Sequence, residues 1–250
     1  MNFLTSFLFA LLISFFFVIV PASPSFAASS TKHKPLSKKK IVRLKCLLYK
    51  LTKDQKAASF CLQALKNNPN DLTARAVLGT IRMAQHDWKK VVINFTILLK
   101  AAHRDKNSDL LGQSYLLRGL AYSRQGNMHK ALQDYTAGEK ICHKIANYPC
   151  LIQIRTAISG ILVKRGDFDR AEVILNKNIS LARKTYHPKE EATALFALGT
   201  IKMRKREMSQ GCQLFRQSEK IAKKNKQKKL VSALDLLLML QCKKSMNNTL

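Results

Sequence analysis

The chain has 250 residues, 46% of them hydrophobic, and carries 44 Lys and Arg against 15 Asp and Glu, a formal net charge of +29 at pH 7. That charge favours anionic partners such as acidic protein segments, anionic lipid headgroups or lipopolysaccharide phosphates. Nucleic acid fits poorly, because no aromatics interleave the basic runs. With no HExxH, no Gly-rich phosphate loop, no nucleophile elbow and few carboxylates, the chain is expected to be no enzyme and to need no cofactor or metal.

Residues 3–20 form an apolar run broken only by Thr5, Ser6 and Ser14. Pro21 and Pro24 stop any helix there, and Ser25-Phe26-Ala27 fits the small-x-small rule of signal peptidase. The expectation is a signal peptide over 1–27, cleaved after Ala27, and an exported, periplasmic mature chain. A second possibility stays open: no Lys or Arg precedes the run, which is long enough to be a transmembrane candidate. Retained, it would anchor an adaptor whose repeats are held in the cytoplasm by the basic residues Lys32 to Arg43 that follow. Residues 28–39 are polar and basic, contain Pro35, and read as a flexible lead-in.

Residues 40–244 read as one helical repeat domain with a C-terminal cap. Gly79, Gly119, Ser159 and Gly199 recur forty residues apart, and LGTIRM at 78–83 returns as LGTIKM at 198–203. Each small residue is followed by a pair, Val91/Phe95, Ala131/Tyr135, Ala171/Leu175 and Gly211/Phe215. Within a unit two apolar-striped segments flank a polar break: 114–125 and 129–145 around Gly126-Asn127, then 151–165 and 169–183 around Gly166-Asp167. Asp167 is a candidate N-cap for the helix that follows. Gly119 and Ala131 are expected to be small where the two helices cross, with the larger residue of each pair filling the gap toward the next hairpin. A fixed period of this length signals stacked helical hairpins that bury their stripes only against neighbours. KKLVSALDLLLMLQCK at 228–243 reads as a core helix capping the stack, with Leu230, Leu234, Leu237, Leu238 and Met239 covering the last hairpin. Residues 245–250 are a tail.

These residues resemble the tetratricopeptide repeat. Tyr115, Gly119, Tyr122, Gly126, Ala131 and Tyr135 match its pattern in the third unit. Ile158, Ser159, Leu162, Gly166 and Ala171 match in the fourth, and Leu195, Leu198, Gly199, Phe215 and Ser218 in the fifth. Ala57, Ala64 and Pro69 fit the end of the first. Arg82 and Lys202 depart from the aromatic slot, Val91 and Gly211 from the small one. The long period implies longer helices or inter-repeat loops such as HKIANYPC at 143–150. The resemblance implies an all-α, right-handed superhelical solenoid of stacked antiparallel helix pairs, about five repeats and a C-terminal capping helix.

It also implies a concave groove lined by the first helices. That places Thr80 and Met83, then Leu116, Leu120 and Arg124, then Thr156 and Lys164, then Phe196, Thr200, Met203 and Arg204 along it, with Thr73, Ala76, Gln113, Gln153 and Thr193 beside them. Lys50, Arg124, Lys164 and Arg204 form a ladder of cations suited to a protein or peptide with acidic residues. The function expected is a scaffold that supports assembly of an envelope or secretion complex. Its alternative is a basic surface protein that binds anionic lipid or lipopolysaccharide.

Placed on the repeats, the six cysteines fall into neighbouring pairs, Cys46 with Cys61, Cys142 with Cys150 and Cys212 with Cys242. Disulfides there agree with export. The alternative for Cys46, Cys61 and Cys212 is that they are buried free thiols.

Overall fold

The computed structural model describes residues 36–48 and 56–242. The expected signal segment with its cleavage point at Ala27, the cation Lys50 and the tail 245–250 lie outside the described residues. Eleven α-helices follow in order: α1 Lys38–Leu47, α2 Ala57–Asn67, α3 Leu72–Ala84, α4 Trp88–Arg104, α5 Ser108–Arg124, α6 Met128–Lys144, α7 Tyr148–Lys164, α8 Phe168–Lys184, α9 Pro188–Arg204, α10 Met208–Lys224 and α11 Lys228–Leu237, with a π-helical turn at Leu238–Cys242. No strand occurs among the described residues, and no helix there is long and apolar enough to cross a membrane. The lead-in expected over 28–39 is cut short at its C-terminal end. Ser37 accepts from the Lys40 amide, so Lys38 and Lys39 already belong to α1.

The extra length of the period is helix. Each helix from α4 to α10 has 17 residues, and the turns between them are equally short within and between hairpins. The loop expected at 143–150 is therefore not there: His143 and Lys144 finish α6, Tyr148 starts α7, and only 145–147 turn. Each turn runs the same way. His86, Lys106, Gly126, Ala146, Gly166, Tyr186, Arg206 and Lys226, all at positive φ, end one helix. The residue after each donates its amide five residues back, as Asp87 does to Arg82 and Asn147 to Cys142. These are Schellman endings, which satisfy the last carbonyls of the helix. The residue after the positive φ then starts the next helix. Asp87, Asn107, Asn127, Asn147 and Asp167 each accept from the amide three residues on.

Helices pair as α1/α2, α3/α4, α5/α6, α7/α8 and α9/α10, and α11 packs on α10. The small-residue series works inside the hairpin rather than toward the next one. A Cβ on Gly119 would lie 2.6 Å from Tyr135 Cε1, and on Gly79 and Gly199 it would meet the Phe95 and Phe215 rings at 2.9 and 2.7 Å. The ring four residues into the second helix thus covers the glycine of its own hairpin. A second repeated contact is polar. Asn178 Nδ2 donates to the Ile152 carbonyl and Ser218 Oγ to the Ala192 carbonyl, tying the second helix to the first.

Lys202, which fills the aromatic slot of the fifth unit, is held by Glu172 at 2.6 Å and Glu207 at 2.9 Å. The hydrogen bond from Lys202 holds the Glu172 carboxyl below its ordinary range. At the N-terminal end Asp71 caps α3 and pairs with Arg43 of α1. Burial works against its ionisation, but Arg43 and the Ala74 amide outweigh that and its carboxyl also sits low.

Disulfides join Cys46 to Cys61, Cys142 to Cys150 and Cys212 to Cys242, consistent with the expected pairing. The first locks α1 to α2 and the last ties the cap to α10, the two ends where a stack of repeats frays most readily.

The cap covers the last hairpin as expected, with one exception. Leu234 is fully buried and Leu230, Leu237 and Leu238 pack beside it, whereas Met239 is 52% exposed.

Candidate functional site

First helices of successive hairpins touch, α1 with α3, α5 with α7 and α7 with α9, while successive second helices make no comparable contact. The first helices therefore form the inner face. Arg124, Lys164 and Arg204 are exposed there, and Leu120 is half-buried. Neither Lys164 nor Arg204 has an ion pair among the described residues, and Arg124 lies over the Trp88 ring at 6.0 Å.

Two residues expected in the groove are turned inward. Leu116 belongs to the buried cluster around Ala131, Tyr135 and Ile154. Thr156 is half-buried, and its hydroxyl accepts from Asn178 of α8 at 3.2 Å. Both are used in packing because the second helix of their hairpin reaches that side of the stripe. Thr80 is exposed with its hydroxyl on the Val77 carbonyl, and Met83 packs partly against Val91 and Phe95.

The remaining four residues come together. Phe196, Thr200, Met203 and Arg204 of α9, with Met208 and Phe215 of α10, line a pocket of about 670 Å³ closed on its far side by Leu237, Leu240 and Gln241 of the cap. The Phe196 and Phe215 ring centroids lie 5.8 Å apart with the rings tilted by 34°. Gly211 is what makes room: a Cβ there would sit 2.5 Å from Met203 Sδ, so Met203 lies flat across α10. Leu240, a residue the sequence did not single out, is 56% exposed at the pocket mouth. An amphipathic excess at the end of the cap was its only signal. Volumes of this order are those of ligand-binding clefts, here apolar with a single cation, Arg204, in the lining.

Charge around the site is one-sided. Asp109 and Glu190 accept from Asn147 and Gln153, and every other described carboxylate is in an ion pair. Lys164 and Arg204 on the inner face therefore stand without an ion-pair partner among the described residues. No cluster of His, Cys, Asp or Glu able to hold a metal occurs among the described residues, and Cys142 and Cys150 are consumed by their disulfide. The histidines of the described region lie in or beside the turns. Of the Asn-x-Ser/Thr triplets, Asn94 and Asn178 are buried with their amide nitrogens on the Lys90 and Ile152 carbonyls, so neither offers a modification site. Asn247 lies outside the described residues.

Helix pairs stacked at a fixed period around an inner face of first helices define a tetratricopeptide-type solenoid, the kind of scaffold that works by protein interaction. Residues 112–142, covering the α5/α6 hairpin, match the tetratricopeptide repeat family. No curated protein is significantly similar to the chain in sequence. Solved structures share its fold. A thermophilic TPR protein of Thermus thermophilus aligns at 18% identity and a TM-score of 0.61 over 82% of this chain and 100% of that one. The Rap protein complexed with Competence and Sporulation Factor aligns at 13% identity and 0.70 over 87% of this chain and 64% of that one, so this chain spans somewhat under two thirds of Rap. Pseudomonas aeruginosa pilF aligns at 14% identity and 0.53 over 80% and 90%.

Proposed function

We propose that the chain is a non-catalytic scaffold that holds a protein or peptide with acidic residues along its inner face, anchored by an apolar side chain in the pocket between α9 and the cap. The observation that carries this reading is the pocket itself, where Phe196, Met203 and Leu240 surround an opening beside the unpaired Arg204. Arg124 and Lys164 extend the row of cations along the same face. A ligand-holding relative supports it in kind, since the Rap structure is a complex with Competence and Sporulation Factor. We infer further that the array works outside the cytoplasm, in assembly of an envelope or secretion complex. Three disulfides among the described residues support an oxidising compartment.

The test is cross-linked capture from native cells with wild type, Phe196→Asp and Leu120→Asp, each variant first checked for a wild-type helical melting curve. A partner held in the groove should be retained at high salt by wild type and fall at least tenfold with Phe196→Asp. Capture that is unchanged by either substitution and lost steeply with salt would assign the basic face to anionic lipid or lipopolysaccharide instead. The intact mass of the native protein reads the compartment. A chain beginning at Ala28, alkylated only after reduction, is expected; a full-length mass with free thiols would mean a membrane-anchored adaptor.

A further inference from the structure

Between each hairpin and the next, the outer face has a junction built from the same positions. One lies eight residues after the small residue of a second helix, the other four residues before the small residue of the following first helix. Where α6 meets α7 these are Glu139 and Arg155, and Arg155 Nε donates to Glu139 at 2.7 Å. Where α4 meets α5 they are Leu99 and Tyr115, and where α8 meets α9 they are the buried pair Ile179 and Leu195. Where α2 meets α3 they are Leu65 and Arg75. Here alone among these junctions a guanidinium faces an aliphatic side chain. Arg75 Nη2 donates to the Pro69 carbonyl, but its Nε is buried and has no partner.

The space differs accordingly. The junction with Glu139 and Arg155 leaves a pocket of about 260 Å³. The one with Leu65 and Arg75 opens to about 810 Å³, walled by Leu62, Leu78 and Ile93, with Lys66, Arg82 and Lys90 at the rim and no carboxylate among its lining residues. Of these cations only Lys90 is in an ion pair, with Asp87 at 2.9 Å; Arg82 donates to the neutral Gln85, and Lys66, Arg75 and Arg82 meet no carboxylate among the described residues. Leu62 and Ile93 are 44% and 58% exposed around it.

We propose that this outer pocket is a second binding site, which takes a Glu or Asp carboxylate of a partner peptide flanked by apolar side chains. A buried guanidinium donor without an acceptor is an unusual and costly group. The chain itself shows what satisfies it, since Glu139 presents a carboxylate to the corresponding Arg155. A partner carboxylate entering beside Leu65 would do for Arg75 what Glu139 does there, while the aliphatic walls receive its neighbours. The walls are concave and the donor is planar, which suits a peptide carboxylate better than a flat layer of phosphates. The site is on the opposite face from the pocket under the cap, so either can fail without the other.

The experiment follows the arginine Nε–Hε signals of nitrogen-15-labelled protein during titration with the peptide Ac-Leu-Glu-Leu-Leu-NH2 and its neutral counterpart Ac-Leu-Gln-Leu-Leu-NH2. The glutamate peptide should shift the Arg75 signal saturably and bind at least tenfold tighter than the glutamine peptide. Leu65→Glu should shift the Arg75 signal without any peptide and abolish binding, because the missing carboxylate is then internal. In Phe196→Asp, which silences the pocket under the cap, the Arg75 signal should still respond. Arg75→Gln added to that background should abolish binding read by isothermal titration calorimetry, which keeps the test open if Leu65→Glu unfolds. Equal binding of the two peptides would overturn the proposal. So would peptide binding by Leu65→Glu at wild-type strength, or a response of the Arg75 signal to phosphatidylglycerol vesicles but not to peptide.

Discussion

Three hairpins of the array lay an aromatic ring on a bare glycine, and the fourth does not. Gly79, Gly119 and Gly199 sit under Phe95, Tyr135 and Phe215, whereas the same two positions of the α7/α8 hairpin hold Ser159 and Leu175. All of these side chains are buried, Tyr135 at 1% exposure, Leu175 at 0% and Ser159 at 1%. The difference shows that the two positions share one volume. A flat ring occupies it only if the opposite helix gives up its Cβ, and a branched aliphatic leaves enough for a hydroxymethyl group that bonds its own helix at Thr156. What the repeat keeps constant is the sum of the pair.

That reading is broken most directly at Gly119. Its Cβ would meet Tyr135 Cε1 at 2.6 Å, Cδ1 at 2.8 Å and Asp134 Cβ at 3.2 Å, and the ring is itself buried. Gly119→Ala should lower the unfolding free energy by about 2–3 kcal/mol in urea titrations, although alanine is the better helix former. Ser159→Ala at the corresponding position should stay within about 1 kcal/mol of wild type, since only a local hydroxyl bond is lost. Gly119→Ala combined with Tyr135→Leu sharpens the point. The double variant should be more stable than the sum of the two single changes predicts, by about 1–2 kcal/mol. Simple additivity would mean that the hairpins tolerate Ser159 for some other reason.

Much of this was legible in the sequence because repetition exposes it. Four copies at one period mark the crossing residues, the ring positions and the polar breaks, and they bring the cysteines into neighbouring pairs. What repetition hides is how each copy uses its side chains. The resemblance to the tetratricopeptide repeat places Leu116 and Thr156 on the groove side of the first helices, but only the packed structure shows that their partner helices claim them. The same limit applies to the outer junctions. Arg75 and Arg155 look alike along the chain, and nothing local tells that one meets Glu139 and the other Leu65, because the facing residue comes from the preceding hairpin. The α2 helix is moreover out of step with the period, so counting by forty from Glu139 leads to Ser59 rather than to Leu65. Met239 was misplaced for a related reason, since the α-helix it was projected onto gives way to a π-helical turn at Leu238.

The smallest effect concerns the turns, where only Gly126 and Gly166 announced themselves. Eight turns share one left-handed residue, yet six of the eight are His, Lys, Ala, Tyr, Arg and Lys. A Cβ costs about 1 kcal/mol in that conformation, and glycine would recover part of it after its greater freedom in the unfolded chain is counted. At Gly126 and Gly166 a Cβ would meet nothing within 4 Å, so their advantage is backbone alone. Gly166→Ala should therefore destabilise by about 1 kcal/mol, and Lys106→Gly and Arg206→Gly should each stabilise by about 0.5–1 kcal/mol. Because the two turns join different, non-adjacent helix pairs, α4 to α5 and α9 to α10, the two glycine gains should add in a double variant read by its urea midpoint. A loss of stability with Lys106→Gly would mean that the side chain at this position contributes more than the strain it carries.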